Sequence, residues 1–337
     1  MLRIIKLFIW IIILSGGIFF WKYTTFTQTN MCIDFATGYF EVEKGDTFSS
    51  ALSRAYPEKL FTKIYLKLNP PDFVLQAWKY EIDCWNIESF IDQLRKPMNE
   101  TDIQVTLLEG WNIYDIDKAL SEKWLISKWN FIDYTTNCEW FCEQKYDFGF
   151  IADAETLEGF LYPDTYNINP NDFKIKTLVA SQLKNFQKKV IDSGIISDMG
   201  SIEILDVINL ASIVQKEANK ADNPEELAII AGILKKRLEE WWQIGADATV
   251  CYAHQIATQD CTPNKVLEYL YEKNEYNTRQ MTWLPRTAIS NPEADVIKAT
   301  VEPMESPYYY YLHDSKGQIH YATTDAEHIQ NKNTYLY

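Results

Sequence analysis

Apolar positions along this chain form three kinds of run. The first is almost unbroken: residues 4–21 are interrupted only by Lys6, Ser15, Gly16 and Gly17. As a helix at ~1.5 Å per residue this stretch would be about 27 Å long, enough to span a bilayer. Arg3 and Lys6 stand on its N-terminal flank, and acidic residues follow soon after Lys22. That asymmetry predicts residues 1–3 as a cytoplasmic tail, 4–21 as a transmembrane helix and the remainder as extracytoplasmic. The run after Gly17, Ile-Phe-Phe-Trp-Lys-Tyr, has no small-x-small cleavage pattern, so a retained single-pass anchor is expected rather than a signal peptide.

The second kind is short and extended. After a stalk at 22–37, Tyr39-Phe-Glu-Val-Glu-Lys-Gly-Asp-Thr-Phe reads as a strand, a turn at Gly45 and a helix start capped by Asp46 or Thr47. A helix with Ala51, Leu52 and Ala55 on its period, a strand from Lys79 to Ile82 and a helix from Ile87 to Leu94 complete a small unit, 38–100. The chain restarts at Ile103 with another strand. A last pair, Tyr308 to His313 and His320 to Thr323, turns around Asp314–Gly317.

Helical periodicity governs the middle. Ile113, Ile116 and Leu120 share one face, as do Leu178, Val179, Leu183, Phe186 and Val190. Helices are also predicted over Ile204 to Glu217 and, with Asn223 as N-cap and Pro224 in first position, as far as Glu240. Cys138 to Gly149 reads as an irregular insertion. The expected fold class is α+β: an anchor, a small α/β unit and a larger mixed domain at 101–337.

Composition narrows the partners. With 47% hydrophobic and 23% charged residues the chain is a folded protein, and its net charge of -15 argues against nucleic acid. Six cysteines follow the anchor, in a compartment where disulfides persist. The short separations favour Cys138 with Cys142 and Cys251 with Cys261, leaving Cys32 with Cys84. No CxxC pair is present and the four histidines are scattered, so neither a metal nor a cofactor is expected.

The helix ending at Glu217 is apolar nearly all round, which predicts burial. Glu217 follows Leu210, Ile213 and Val214 by seven, four and three residues, so its carboxyl continues a core-facing stripe. Burial disfavours the charged form, which is how a glutamic acid stays protonated near neutral pH and donates a proton to a glycosidic oxygen. A structural ion pair with Lys216, Lys220 or an arginine would also explain an acid at this position.

Ala211-Ser-Ile-Val-Gln-Lys-Glu-Ala218 resembles the signature helix of the MltG/YceG-like endolytic transglycosylases, whose catalytic glutamate matches Glu217. Further matches follow in that family's order: Leu157 to Tyr166, Ala231 to Leu238, Asp247 to Val250, Glu275 to Thr278, Leu284-Pro285 with Ala288 to Pro292, and Tyr308 to His328. The resemblance spans nearly the whole chain and implies a catalytic domain at 101–337; the strand-Gly-Asp-Thr-helix opening of the 38–100 subdomain resembles the LysM-like glycan-binding module, though turn chemistry in a generic α/β unit with no ligand also explains it. The family resemblance implies cleavage of peptidoglycan glycan strands between N-acetylmuramic acid and N-acetylglucosamine, non-hydrolytically, with the C6 hydroxyl of the muramic acid closing on its own anomeric carbon. One glutamate would then act as acid and afterwards as base. Peptidoglycan synthases are the implied protein partners.

Around Glu217, the residues Glu158, Gln215, Asp247, Tyr276 and Asn277 are expected to line the substrate cleft. Two-carboxylate hydrolysis would need a partner about 5 to 9.5 Å away, and Glu158, Asp164 and Asp247 are each open for it. Their structural readings are an ion pair for Glu158, a turn or cap residue for Asp164 and a cap for Asp247. Tyr166 and the run Tyr308 to Tyr311 fit either sugar stacking or packing. The competing functions are a hydrolytic muramidase and a non-catalytic wall-binding scaffold.

The chain departs from the family pattern in one respect. It has 11 tryptophans against 12 glycines, where glycine ordinarily makes up about 7%. Trp78, Trp85, Trp241 and Trp283 fall where the family has glycine, a residue used for positive φ or close backbone approach. The pattern is that of a source decoding UGA as glycine and a sequence translated with UGA as tryptophan. No role is assigned to these four.

Overall fold

The computed structural model describes residues 2–29, 39–83, 86–95, 97, 102–218 and 223–336. They form two compact units, one of residues 1–103 with 124–127 and 168–173, the other of the remainder. Helix and strand are mixed and helix predominates, an α+β fold.

In the smaller unit, helix α1 (Leu2–Gln28) is followed by β1 (Phe40–Glu41), α2 (Phe48–Ala55), α3 (Lys59–Leu68), β2 (Lys79–Tyr80) and α4 (Ile87–Gln93). β1 and β2 pair antiparallel with Phe40 opposite Tyr80. The strand–helix–helix–strand order arises from local chemistry. Gly45 takes φ +97° at the turn, and Thr47 caps α2 through a reciprocal box with Ser50. Arg54 then ties α2 back to Asp46 at 2.5 Å and to the Glu41 carbonyl at 2.9 Å. Phe40, Leu52, Tyr56, Tyr80 and Phe90 fill the core.

The expected anchor falls within α1, which continues through residues expected as stalk. Phe26, near its end, is buried, with its ring 5.7 Å from Tyr56 and 5.6 Å from Phe61. Side chains of residues 2–13 lie outside the description, and among the described residues no helix is long and apolar enough to cross a membrane.

The larger unit runs β3 (Ile103–Thr106), α5 (Ile113–Glu122), α6 (Asn130–Thr136), α7 (Cys138–Asp147), β4 (Thr165–Ile168) and α8 (Ile175–Phe186). It continues through α9 (Ser201–Glu217), α10 (Pro224–Glu239), α11 (Asp247–Ala253), α12 (Pro263–Tyr269) and α13 (Ala294–Val301), and ends with β5 (Tyr310–His313), β6 (Ile319–Ala322) and α14 (Asp325–Tyr335). β3 pairs with β4 and β5 with β6, the latter antiparallel with Leu312 opposite His320. Helix α9 packs against both α10 and α13, which is why it is apolar nearly all round. Gly232 lets the chain after α13 lie directly on α10: a Cβ there would meet the Met304 carbonyl at 2.1 Å. Gly159, at φ +94°, likewise admits Ile208 of α9, which a Cβ would meet at 2.5 Å.

Two segments depart from expectation. Cys138 to Asp147 is a helix, not an irregular insertion: Asn137 caps it, accepting from the Glu139 amide at 3.0 Å, and Cys138 is joined to Cys142 one turn on. The C-terminal helix α14 was not foreseen, because it buries no residue and so carries no apolar stripe. Cys251 is joined to Cys261. Cys32 and Cys84 lie outside the described residues.

The tryptophans divide by backbone. Trp241 takes φ +60°, and so do two not singled out above, Trp124 at +60° and Trp129 at +74°. Trp78 and Trp283 are absent from the left-handed region. Trp85 lies outside the described residues.

Candidate active site

The last turn of α9 sends three consecutive side chains into different partners. The Gln215 Oε1 accepts from the Glu293 amide at 2.9 Å. Lys216 Nζ donates to the Gly110 carbonyl at 2.8 Å and to Thr258 Oγ1 at 2.5 Å. Glu217 Oε2 accepts the Tyr311 hydroxyl of β5 at 3.0 Å. Burial pushes the Glu217 pKa up; the Tyr311 hydrogen bond opposes this, Asp247 adds to it, and Arg279 and Arg237 pull it back.

Those neighbours are firmly held. Asp247 opens α11 and pairs with Arg279 at 2.5 Å. Thr249 and Thr278, both fully buried, share a hydroxyl contact of 2.9 Å that fastens α11 to the segment carrying Arg279. Arg237 of α10 donates to the Tyr309 carbonyl at 2.9 Å and to the Ile244 carbonyl at 2.6 Å. A cavity of about 800 Å³ is lined among others by Glu109, Gln215, Lys216, Ala218, Ala248 and Thr258. It therefore touches the chain neighbours of both Glu217 and Asp247.

A second buried cluster lies within electrostatic reach of Lys216. Glu158 is 1% exposed; its Oε2 accepts from the Ile113 amide at 2.9 Å and its Oε1 from Asn291 Nδ2 at 2.7 Å. Burial pushes its pKa up to about 8, against the pull of the Ile113 amide and the Tyr252 hydroxyl. Asn291 uses its remaining capacity on the Gly159 and Leu161 amides, at 2.8 and 3.0 Å, and on the Trp111 carbonyl at 3.0 Å. Among the described residues no group of three or more His, Cys, Asp or Glu side chains is placed to hold a metal ion.

The model of the YceG-like family matches residues 40–334. The chain belongs to the YceG-like family. An endolytic murein transglycosylase of Bacillus subtilis (strain 168) is 24% identical over 260 residues, covering 74% of this chain and 70% of that protein. The crystal structure of a YceG-like protein from Listeria monocytogenes shares the fold, with a TM-score of 0.56 and 21% identity over 87% of this chain and 98% of the other.

The family's motifs thus meet at one end of α9, but they do not contribute alike. Gln215 lines the cavity, and Asp247 lies within electrostatic reach of Glu217. Glu158 and Asn277, expected in the cleft, are instead buried, their polar atoms consumed inside the protein. Asn277 donates to the Leu270 and Glu272 carbonyls at 3.1 and 2.8 Å and accepts the Arg279 amide at 3.0 Å, so it shapes the segment that presents Arg279. Tyr276 spends its hydroxyl on Thr287 at 3.1 Å, with its ring 5.1 Å from Tyr252. Asp164 directly precedes β4, accepting from the Thr165 amide at 2.8 Å and pairing with Lys189 at 3.1 Å. Tyr166 donates to the Tyr162 carbonyl at 2.6 Å, and Tyr308 stacks on Tyr321 at 4.8 Å, both packing contacts.

Sequence reading missed Arg237, Arg279 and Asn291, and did not distinguish Tyr311 within its tyrosine run. Arg237 and Asn291 stand inside quoted motifs and Arg279 directly follows one. What sequence could not supply was the pairing, since Tyr311 lies 94 positions from Glu217.

Proposed function

We propose that this family member is an endolytic murein transglycosylase with Glu217 as its acid/base. The observation that carries the reading is a carboxyl hydrogen-bonded to Tyr311, its pKa raised by burial, whose chain neighbours Gln215, Lys216 and Ala218 line a cavity of about 800 Å³. Protonated Glu217 gives its proton to the glycosidic oxygen as the bond from the muramic acid's anomeric carbon to N-acetylglucosamine breaks. The resulting carboxylate then takes the proton of the muramic acid's C6 hydroxyl as that oxygen bonds to the anomeric carbon. No water enters, and Glu217 ends protonated.

The three carboxylates that the sequence left open as a second catalytic group are each held by other partners. Glu158, Asp164 and Asp247 are engaged by Ile113 and Asn291, by Lys189 and by Arg279 respectively. Two disulfides favour an extracytoplasmic site of action, with residues 4–21 as the single-pass anchor and the N-terminus cytoplasmic. The strand–helix–helix–strand unit is assigned as a LysM-like glycan holder, and peptidoglycan synthases as partners. Digestion of isolated sacculi by wild type and Glu217→Gln tests the reading. Loss of cleavage by about a hundredfold or more is expected, and equal cleavage by both proteins would remove the role.

A further inference from the structure

The hairpin β5–β6 is clamped where it meets the helices. Arg237 holds the Tyr309 carbonyl with two nitrogens, at 2.9 and 2.5 Å, and His313 Nε2 lies 2.9 Å from Glu226 Oε1 of α10. Tyr311 sits between these two fixed points and, by strand alternation, on the same face as His313. Its hydroxyl therefore reaches Glu217 from a backbone with little freedom to retreat. The Glu217 carboxyl has two oxygens and one transferable proton, and the Tyr311 hydroxyl donates to Oε2 at 3.0 Å.

We propose that Tyr311 is a positioning residue for the acid/base step: by occupying Oε2 as a donor, it leaves the transferable proton on Oε1. The inference rests on the reading of Glu217 given above and deepens it. A proton shared freely between the two oxygens would point away from the glycosidic bond part of the time. With Tyr311 in place one oxygen is the acid, and after transfer the same hydrogen bond steadies the carboxylate that takes the C6 proton.

The charged groups facing Glu217 are Asp247 of α11, Arg279 after it and Arg237 of α10, and Tyr311 is the titratable group from β5. Removing the hydroxyl removes a hydrogen bond that favours the carboxylate, so the Glu217 pKa rises further in Tyr311→Phe. Cleavage begins from protonated Glu217. The alkaline limb of kcat/KM should therefore move up by about one pH unit, while the plateau falls about tenfold. A merely structural role for Tyr311 would lower activity without moving the limb.

The test measures pH profiles of glycan cleavage, and the titration of the ¹³C-labelled Glu217 carboxyl, in the full chain as wild type, Tyr311→Phe and Tyr309→Phe. Tyr309 carries a hydroxyl on the same hairpin but donates it to Glu240, at 2.9 Å, so Tyr309→Phe should match wild type. The reciprocal variant, Glu217→Gln, should lower the pKa of the Tyr311 hydroxyl, followed by its ring ¹³C shift, because a buried negative neighbour is gone. It keeps the question answerable if Tyr311→Phe folds poorly. Coincident titrations of wild type and Tyr311→Phe, or an unmoved Tyr311 in Glu217→Gln, would overturn the inference. Wild type that cuts no glycan would instead sink the parent reading and the positioning role with it, a result distinguishable from normal cleavage with an unmoved limb.

Discussion

Glu158 is a carboxyl that the fold keeps dry, and its cost should be visible in solution. Its pKa is pushed up to about 8 by burial, against about 4.3 in an unfolded chain. Between those values the folded state holds a proton that the unfolded state has released, so stability is greatest below the lower value and falls as pH rises through the window. In Glu158→Gln, stability should be lower at pH 5 by about 1–3 kcal/mol, because an amide cannot accept from both Ile113 and Asn291, yet fall less steeply than wild type's from pH 5 to 8. Thermal melts across that range check this; parallel wild-type and variant slopes would contradict it. At this scale the apolar stripe on α9 was legible in the sequence, and it is buried from Ile208 to Val214, with Glu217 half-buried after it. The sequence did not disclose the hydrogen bonds of Glu158, because its partners Ile113 and Asn291 are 45 and 133 positions away.

Helix α10 shows how an element ends and what its last residue must be. The Trp242 amide reaches back to the Arg237 carbonyl at 2.7 Å and the Trp241 amide to the Leu238 carbonyl at 3.1 Å. Between them Trp241 sits at φ +60° with 74% of its surface exposed. This is a left-handed helix terminus, the position most often held by glycine. A tryptophan there carries a steric penalty of about 1–2 kcal/mol and gains little burial in return. Trp241→Gly should therefore stabilise the protein by about 1 kcal/mol, read as an upward shift in melting temperature; a destabilised variant would contradict this. Trp124 and Trp129 adopt the same backbone conformation, in keeping with glycine codons read as tryptophan. Elements with a regular apolar stripe, α5, α8, α9 and α10, were legible from periodicity. Helices α7 and α14 were not, because their order comes from capping side chains and, in α7, a disulfide.

Across the whole molecule, segments far apart in the chain converge on the end of α9. Asn291 ties the 157–166 segment to Trp111, Ser212 accepts the Ile289 amide at 3.0 Å, and Arg237 and Tyr311 bring in α10 and the final hairpin. The order of motifs along the sequence disclosed the family, but not which motif supplies chemistry and which supplies scaffold. Burial separates them: Gln215 is half-buried and lines the cavity of about 800 Å³, while Glu158 and Asn277 are almost fully buried. A site that uses Glu217 alone as acid and then base should break glycan strands without consuming water. The most direct measurement is mass spectrometry of glycan fragments released by the wild-type protein in ¹⁸O-labelled water. The account predicts anhydro-muramic acid ends free of ¹⁸O, whereas reducing ends carrying the label would contradict it.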